Sequence, residues 1–418
     1  MKKIFIVAFI AIVGIAFTAP AFAIEHEFGG YWRTRMYTQK NFDGSDSSTP
    51  DVITDYTRTD TRSRIYYTAI LNDNLKFVNK FEMNATWGVA GGSHTANYGD
   101  IGADGLSVLV KNSYVDFNVG SFNAKLGTQP AVVHRGLVFD DDFSGLMLSI
   151  DSSIGTTSGG FLKIDESSDN TGSDVNGYLF KHQVNLDSIT LAPTFVYTDA
   201  ADGDYTYFLG ADVDGNFGPT TLWGTLVYQG GVAGNTSDGL GVEQDISAWL
   251  IALGGNHNIN DSVGIHGKFL FSTGNDINSD DVEGFGTDFG GYYYVWAEIM
   301  GGGIFDGQSS AYTSGAFGLK NVIAFNVGTT YQACEKLSLD FDLWYAKMEE
   351  VTHANQDDSL GLEIDVKATY QIIDGLSLEL VGAYLFAGDG TQFDSDTSAV
   401  YTNDENPFEI GTRLSLSF

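Results

Sequence analysis

The stretch Phe408-Glu409-Ile410-Gly411-Thr412-Arg413-Leu414-Ser415-Leu416-Ser417-Phe418 alternates two kinds of side chain and stops on an aromatic ring. Successive side chains of a strand point to opposite faces. Phe408, Ile410, Thr412, Leu414, Leu416 and Phe418 therefore share one face, and Glu409, Gly411, Arg413, Ser415 and Ser417 the other. One face suits lipid and the other water. That period is the signature of a strand in a transmembrane β-barrel, which faces hydrocarbon outside and an aqueous interior inside.

The opposite end fits an exported chain. Met1-Lys2-Lys3 is a charged start, Ile4 to Phe17 an apolar run, and Ala21-Phe22-Ala23 a small-residue cleavage site, so residues 1–23 are predicted to be a cleaved signal peptide. The mature chain, 24–418, shows no Pro/Ser-rich linker and is expected to form one transmembrane barrel. It has no apolar run long enough for a membrane-spanning helix, which leaves a closed barrel as the spanning structure. The only cysteine, Cys334, excludes an internal disulfide framework, and C-x-x-C-H is absent.

The formal charge is −33, and loss of Lys2 and Lys3 with the signal takes it to about −35. Such a chain repels the phosphate backbone, so no nucleic-acid partner is expected. The acids concentrate in predicted loops, Asp43 to Asp51, Asp165 to Asp174, Asp199 to Asp204, Asp276 to Asp288 and Asp389 to Asp396. They serve solubility there, or take up calcium or magnesium that bridges to anionic lipopolysaccharide, since hard oxygen ligands suit both ions. No other cofactor and no protein-held metal site is expected.

Alternation continues along the chain. The first strand, Glu25 to Lys40, sends Phe28, Gly30, Trp32, Thr34 and Met36 outward; the second, Thr57 to Leu71, sends Thr59, Ser63, Ile65, Tyr67 and Leu71 outward; the third sends Leu75, Phe77, Phe81, Met83 and Trp87. Further strands follow to the terminal one, the outward set of the Leu360 strand being Leu360, Leu362, Ile364, Val366, Ala368 and Tyr370. Bacterial barrels with both ends on one side have even strand numbers. Tyr292 to Met300 also looks like a strand, but counting it makes the total odd. Ser272 to Lys320 is therefore read as one exposed extracellular loop, with about eighteen strands in all and sixteen as the alternative.

The opening Glu27-Phe28-Gly29-Gly30-Tyr31-Trp32-Arg33-Thr34-Arg35, the stretch Arg135 to Gly145 and the aromatic last residue together resemble Gram-negative outer-membrane porins. The texture is similar to porins of sulfate- and metal-reducing bacteria and to the eighteen-stranded carboxylate-channel and alginate-export families. The resemblance implies an outer-membrane channel and an assembly signal at Phe418 read by the barrel-assembly machinery. It also implies a loop from Pro130 to Asp142 that folds into the lumen and sets Asp140, Asp141 and Asp142 against the wall. A homotrimer and a monomer are both open.

Basic residues are unevenly spread. Of the 21 Lys plus Arg, eleven lie between Ile24 and Arg135, against Lys163, Lys181 and Lys268 from Gly136 to Leu319. Arg33, Arg35, Arg58, Arg62, Arg64, Lys76 and Lys80 take the inward phase of three consecutive strands, and Arg413 that of the last. They are expected to form one pore-lining basic strip, a usual selectivity device. The competing reading is that Asp60, Glu82 and Glu409 neutralise them and the strip only stiffens the wall. No catalytic residue is assigned, because neither G-x-S-x-G nor H-E-x-x-H occurs and the seven histidines are scattered singly. The expected function is passive diffusion of small hydrophilic solutes and ions. The alternatives are a selective channel for carboxylates or an acidic polysaccharide, a barrel adhesin, or a barrel enzyme.

Overall fold

The computed structural model describes residues 24–42, 55–89, 107–166, 174–199, 204–234, 243–286, 294–305, 319–351, 356–394, 399–400 and 406–418. The signal segment and the acidic loop from Asp43 to Asp51 lie outside the described residues. Eighteen antiparallel strands make one closed sheet. They are β1 (Glu25–Lys40), β2 (Asp55–Asn72), β3 (Leu75–Thr86), β4 (Leu109–Val119), β5 (Phe122–Val133), β6 (Phe139–Ser152), β7 (Gly155–Asp165), β8 (Val175–Leu186) and β9 (Ile189–Asp199). The second half comprises β10 (Tyr205–Phe217), β11 (Thr220–Gly234), β12 (Glu243–Asn258), β13 (Val263–Ser272), β14 (Val322–Cys334), β15 (Leu337–Lys347), β16 (Ser359–Ile373), β17 (Leu376–Ala387) and β18 (Phe408–Ser417). A two-residue ribbon, Phe393–Asp394 with Ala399–Val400, stands apart from them.

Each strand pairs with its sequence neighbours, and β18 also pairs with β1, setting Tyr31 opposite Ser417 and Lys40 opposite Phe408. No strand edge is left open, as a barrel in hydrocarbon requires. The weakly patterned segment near Gly160 is a full strand paired on both sides, so the count is eighteen and not sixteen. Residues 294–300 are not strand, as parity demanded. Short turns join β2 to β3, β4 to β5 and so on at one end, and the longer connections lie at the other.

Outward positions carry the large exposed apolar side chains, among them Phe28, Met36, Leu126, Leu148, Phe180, Leu209, Leu226, Leu253, Val327, Val366 and Ile410. From β7 to β12 outward aromatic rings touch in sequence, Phe161 to Tyr178 at 5.7 Å, Tyr178 to Tyr197 at 6.3 Å and Tyr228 to Trp249 at 4.8 Å. Amphipathic rings of this kind gather at membrane interfaces. At the seam the Gly30 N–H donates to the Phe418 carbonyl (2.8 Å) and the Phe418 N–H donates back (3.2 Å). The Phe418 ring lies over Gly30, where any Cβ would collide with it.

Three expectations change. Leu360 does not face outward: the pairing of β15 with β16 shifts register there and Gly361 takes φ +122°, which turns Leu360 into the buried interior. A bulge inserts one residue and so reverses the phase on one side of it. The loop predicted from Pro130 to Asp142 is largely strand, with Pro130 opposite Asp142 and Val133 opposite Phe139, leaving only 134–138 as the turn. The long connection between β13 and β14 is not simply an exposed loop, since Trp296, Ala297, Ile299, Met300 and Phe305 are buried; Ser309 lies outside the described residues.

Candidate channel interior

The β5–β6 hairpin reaches the lumen because it leaves the wall. Pairing of β5 with β4 stops at Thr128, and pairing of β6 with β7 starts at Ser144, so between those points the two strands make ladder pairs only with each other. Gly127 sits at the departure point with φ +128°, and a Cβ there would run into the Ser113 carbonyl. Only glycine adopts such a backbone against a neighbouring strand without strain. The projecting hairpin is two-faced. Val133, Phe139 and Phe143 are buried on one side, while Asp140, Asp141 and Asp142 border a cavity of about 590 Å³ on the other.

That cavity brings much of the expected strip together. Its walls are Arg33 of β1, Arg62, Arg64 and Tyr66 of β2, Lys80 and Glu82 of β3, Lys111 and Asn112 of β4, and Pro130 with the three aspartates of the hairpin. Arg64 Nε donates to Glu82 Oε2 at 2.6 Å, and Arg62 Nε donates to Asn84 Oδ1 at 2.7 Å while standing 3.6 Å from Glu82 Oε1. Lys111 Nζ pairs with Asp142 at 3.0 Å, and Asn112 Nδ2 donates to the same carboxylate at 2.5 Å. Lys80 lies 5.2 Å over the Tyr66 ring. Among the described residues Lys80 and Asp140 form no ion pair.

Arg35, Arg58, Lys76 and Arg413 are not part of this cavity. Arg35 is buried, with Nε and Nη2 on the two Asp60 oxygens at 2.9 and 2.8 Å and Nη1 on the Ile304 carbonyl at 2.7 Å. Arg58 donates to Thr86, Arg413 Nη2 donates to Glu379 at 2.9 Å, and Lys76 is exposed. Neutralisation by Asp60 thus holds for Arg35, and Glu82 is shared by two arginines. Among the described residues Glu409 pairs with no arginine; its Oε2 accepts from Gln39 Nε2 at 2.8 Å.

Lys111 escaped the sequence reading because simple alternation puts Lys111 and Asn112 on opposite faces. The β3–β4 pairing slips between Lys80 and Phe81, where Asn112 and Val110 are partners and Lys111 is the extra residue. The signal in the sequence is its place beside an inward asparagine, and periodicity alone does not reveal it.

The opposite side of the lumen carries a large apolar core. Inward residues of β7 to β17, including Leu162, Leu179, Phe208, Val227, Leu250, Leu270, Trp344 and Leu385, join Leu137 and Val138 of the hairpin tip and Trp296, Ile299 and Met300 of the β13–β14 connection in one apolar cluster. The tip is clasped to the far wall. His134 Nδ1 lies 3.1 Å from Asp212 Oδ2, Arg135 Nη2 lies 2.9 Å from Asp214 Oδ2, and the Arg135 guanidinium stands 5.1 Å over Trp223. His134, Arg135 and Gly136 all take positive φ, 50°, 60° and 85°, a strained run that the clasp must hold. Thr225 adds to the clasp, donating its hydroxyl to Asp212 Oδ1 at 2.6 Å.

The second insertion, 294–305, lies along β15 to β18 and β1. Both oxygens of buried Glu363 accept its backbone, Ile299 N–H at 2.6 Å and Met300 N–H at 2.8 Å. Phe305 stacks on Tyr37 at 4.7 Å, and Trp296 meets Trp344 edge-on at 5.1 Å. Burial pushes the Tyr294 phenol up to about 12 against the opposing pull of Arg135. Among the described residues no group of three or more His, Cys, Asp or Glu side chains is placed to hold a metal ion.

No family model and no curated protein matches the sequence. Solved structures do. OccAB1 of Acinetobacter baumannii aligns at TM-score 0.59 with 13% identity, over 96% of this chain and 99% of its own. OpdK of Pseudomonas aeruginosa, solved with vanillate, aligns at 0.58 with 11% identity over 94% and 98%. A BenF-like porin from Pseudomonas fluorescens Pf-5 aligns at 0.58 with 10% identity over 94% and 98%. These likenesses establish the shared fold, an eighteen-stranded antiparallel barrel.

Proposed function

We propose that this chain is an outer-membrane channel that passes small hydrophilic solutes and ions down their gradients, and that its cavity between the basic wall and the acidic hairpin face is the selective part of the path. The observation that carries this reading is a charged cavity inside a ring whose outer face is apolar. Five cationic side chains, Arg33, Arg62, Arg64, Lys80 and Lys111, line it together with Glu82 of their own wall, and Asp140 to Asp142 of the hairpin border it as well. Low-dielectric walls focus the field between them, and a polar solute lowers its energy by aligning with that field. Planar-bilayer recording tests the reading: steady single-channel current with a defined reversal potential in a salt gradient supports it, and an electrically silent inserted barrel rejects it. The fold shared with a BenF-like porin supports transport over catalysis.

A carboxylate-selective channel is the second reading. It is favoured by Arg33, Lys80 and the shared Arg62–Arg64 pair gathering on one wall, and by the structural likeness to OpdK solved with vanillate. Saturable block of chloride current by an added aromatic carboxylate, absent with its neutral amide, would favour it over unselective diffusion.

We also infer that Phe418 serves assembly, because its ring is 69% exposed on the outward face while its backbone completes the seam. Deleting it is expected to lower the yield of inserted barrel in cells more than refolding in vitro; equal insertion with and without it would sink the idea.

A further inference from the structure

Four carboxyl groups outside the cavity meet beneath the second insertion. Glu298 stands on the insertion itself, Glu363 and Asp365 on β16 and Glu409 on β18. The Glu298 carboxylate accepts the Ile304 N–H at 2.8 Å and its own N–H points to Asp365 Oδ2 at 3.4 Å. Glu363, Asp365 and Glu409 are 0%, 8% and 2% exposed, and among the described residues Asp365 Oδ1 and Glu409 Oε1 have no hydrogen-bond partner. Among the described residues none of the four forms an ion pair. The charged groups around them are Lys367 of β16, Arg413 of β18 with its partner Glu379 of β17, and Arg35 of β1 with its partner Asp60; the cavity that Glu298 and Asp365 line also holds His266 and Lys268 of β13 and Asp340 and Asp342 of β15. Gln39 and the Tyr31 phenol of β1 complete the setting.

Burying several carboxylates together without a cation in direct contact is costly, and each ionised one disfavours the next. The insertion supplies backbone donors for Glu363 and Asp365, yet it also brings Glu298 into the same dry site. From this juxtaposition we propose that the segment 294–305 is a proton-dependent plug, seated on the β16–β18–β1 wall while these carboxyls hold protons and released as they ionise. Resting on the channel reading above, it makes the wider lumen a state that alkaline conditions favour.

The sign follows from Glu298. Burial, foremost, holds its carboxyl above the usual carboxylate range, against the smaller pull of the Ile304 N–H, Lys367 and Arg413. A group raised in the seated form favours that form at low pH and stops doing so as pH rises through the raised value. Each proton released on unseating changes the seated-to-released ratio by about tenfold per pH unit.

The test uses the full chain with Met300→Cys, a position with 0% exposure, and keeps the exposed Cys334 as internal reference. In proteoliposomes the labelling rate at 300 relative to 334 is followed from about pH 6 to about pH 9, alongside single-channel conductance of the unmodified protein. The expected result is a relative rate that climbs by about tenfold or more over that range, with conductance rising in step. In E298Q/D365N/E409Q, where each amide retains the accepting oxygen and fills the other position, both should stay at their low-pH values. Should the triple variant not fold, E298Q, which changes no residue of a barrel strand, carries the same comparison. A pH-independent labelling ratio, or an undiminished pH response in the variants, overturns the plug. Absence of current at every pH rejects the channel reading instead, while the labelling ratio still judges the plug.

Discussion

The two sides of this lumen are made of the same kind of strand and end as different materials. On β1 to β4 the inward phase is charged, and Arg33, Arg62, Arg64 and Lys80 border a cavity. On β7 to β17 a large part of the inward phase is apolar, and Phe208, Leu250 and Trp344 are buried against the two insertions, with Asp212, Glu363 and Asp365 as buried polar exceptions that tie those insertions down. Side-chain phase therefore says which residues face inward, whereas their polarity decides whether that interior is a passage or a core. The hairpin joins the two, its apolar face completing the core and its aspartates completing the cavity.

The sharpest way to break this contrast is to cut the same amount from each side. Trp344→Ala removes a ring that is 2% exposed and touches Trp296, and should cost about 3–5 kcal/mol of stability in detergent unfolding. Tyr66→Ala, on the cavity wall, should cost far less. Equal losses would mean that the packed side is not a core.

Next in size is the bend that sends the hairpin inward. Gly127→Val forces a β-branched residue to φ +128° against the Ser113 carbonyl, a strain of about 1–3 kcal/mol. The hairpin should then unseat, which proteolysis near Arg135 and a larger, noisier conductance would report. Unchanged conductance with an intact barrel would show that the bend does not depend on this glycine.

A third test addresses charge. Replacing Arg33, Arg62 and Arg64 together by Gln should shift reversal potentials toward cations, each charge being worth about 1 kcal/mol to an ion passing at contact distance in water. Because the cavity lies inside the wall, the shift should persist at high salt, where screening shortens to about 3 Å. Unaltered permeability ratios would remove these arginines from the path. Asp140→Asn is the mildest change. Being exposed and without an ion partner, it should leave stability within about 0.5 kcal/mol and alter only the asymmetry of the current between the two voltage signs.

The barrel was legible because its signal repeats: alternation located the strands, and parity removed the segment near Met300 from the count. What alternation missed has local causes. Bulges moved Leu360 inward and Lys111 onto the cavity, and a single inserted residue leaves no trace in a period of two. The packed side did leave a trace. Ile246, Ala248, Leu250 and Ala252 are buried inward while Trp249 and Leu253 face out, so β12 is apolar on both phases, which a strand bordering water on one side would not be. The carboxyls that hold the second insertion were unreadable, because their partners are backbone amides some sixty residues away.

The seam between β1 and β18 also governs how such a ring can come into being. Tyr31 pairs with Ser417 across the whole run of strands, so this contact is the most distant in sequence among the sheet's pairings. Contacts of that span form slowly, since the entropy of closing so long a loop precedes any reward. Until they form, two unpaired edges and a wide apolar outer face stand open together, the combination most prone to sticking to other chains. A ring of this design is hazardous to its surroundings for as long as it is incomplete, and lipid or an escort protein must shelter it through that interval.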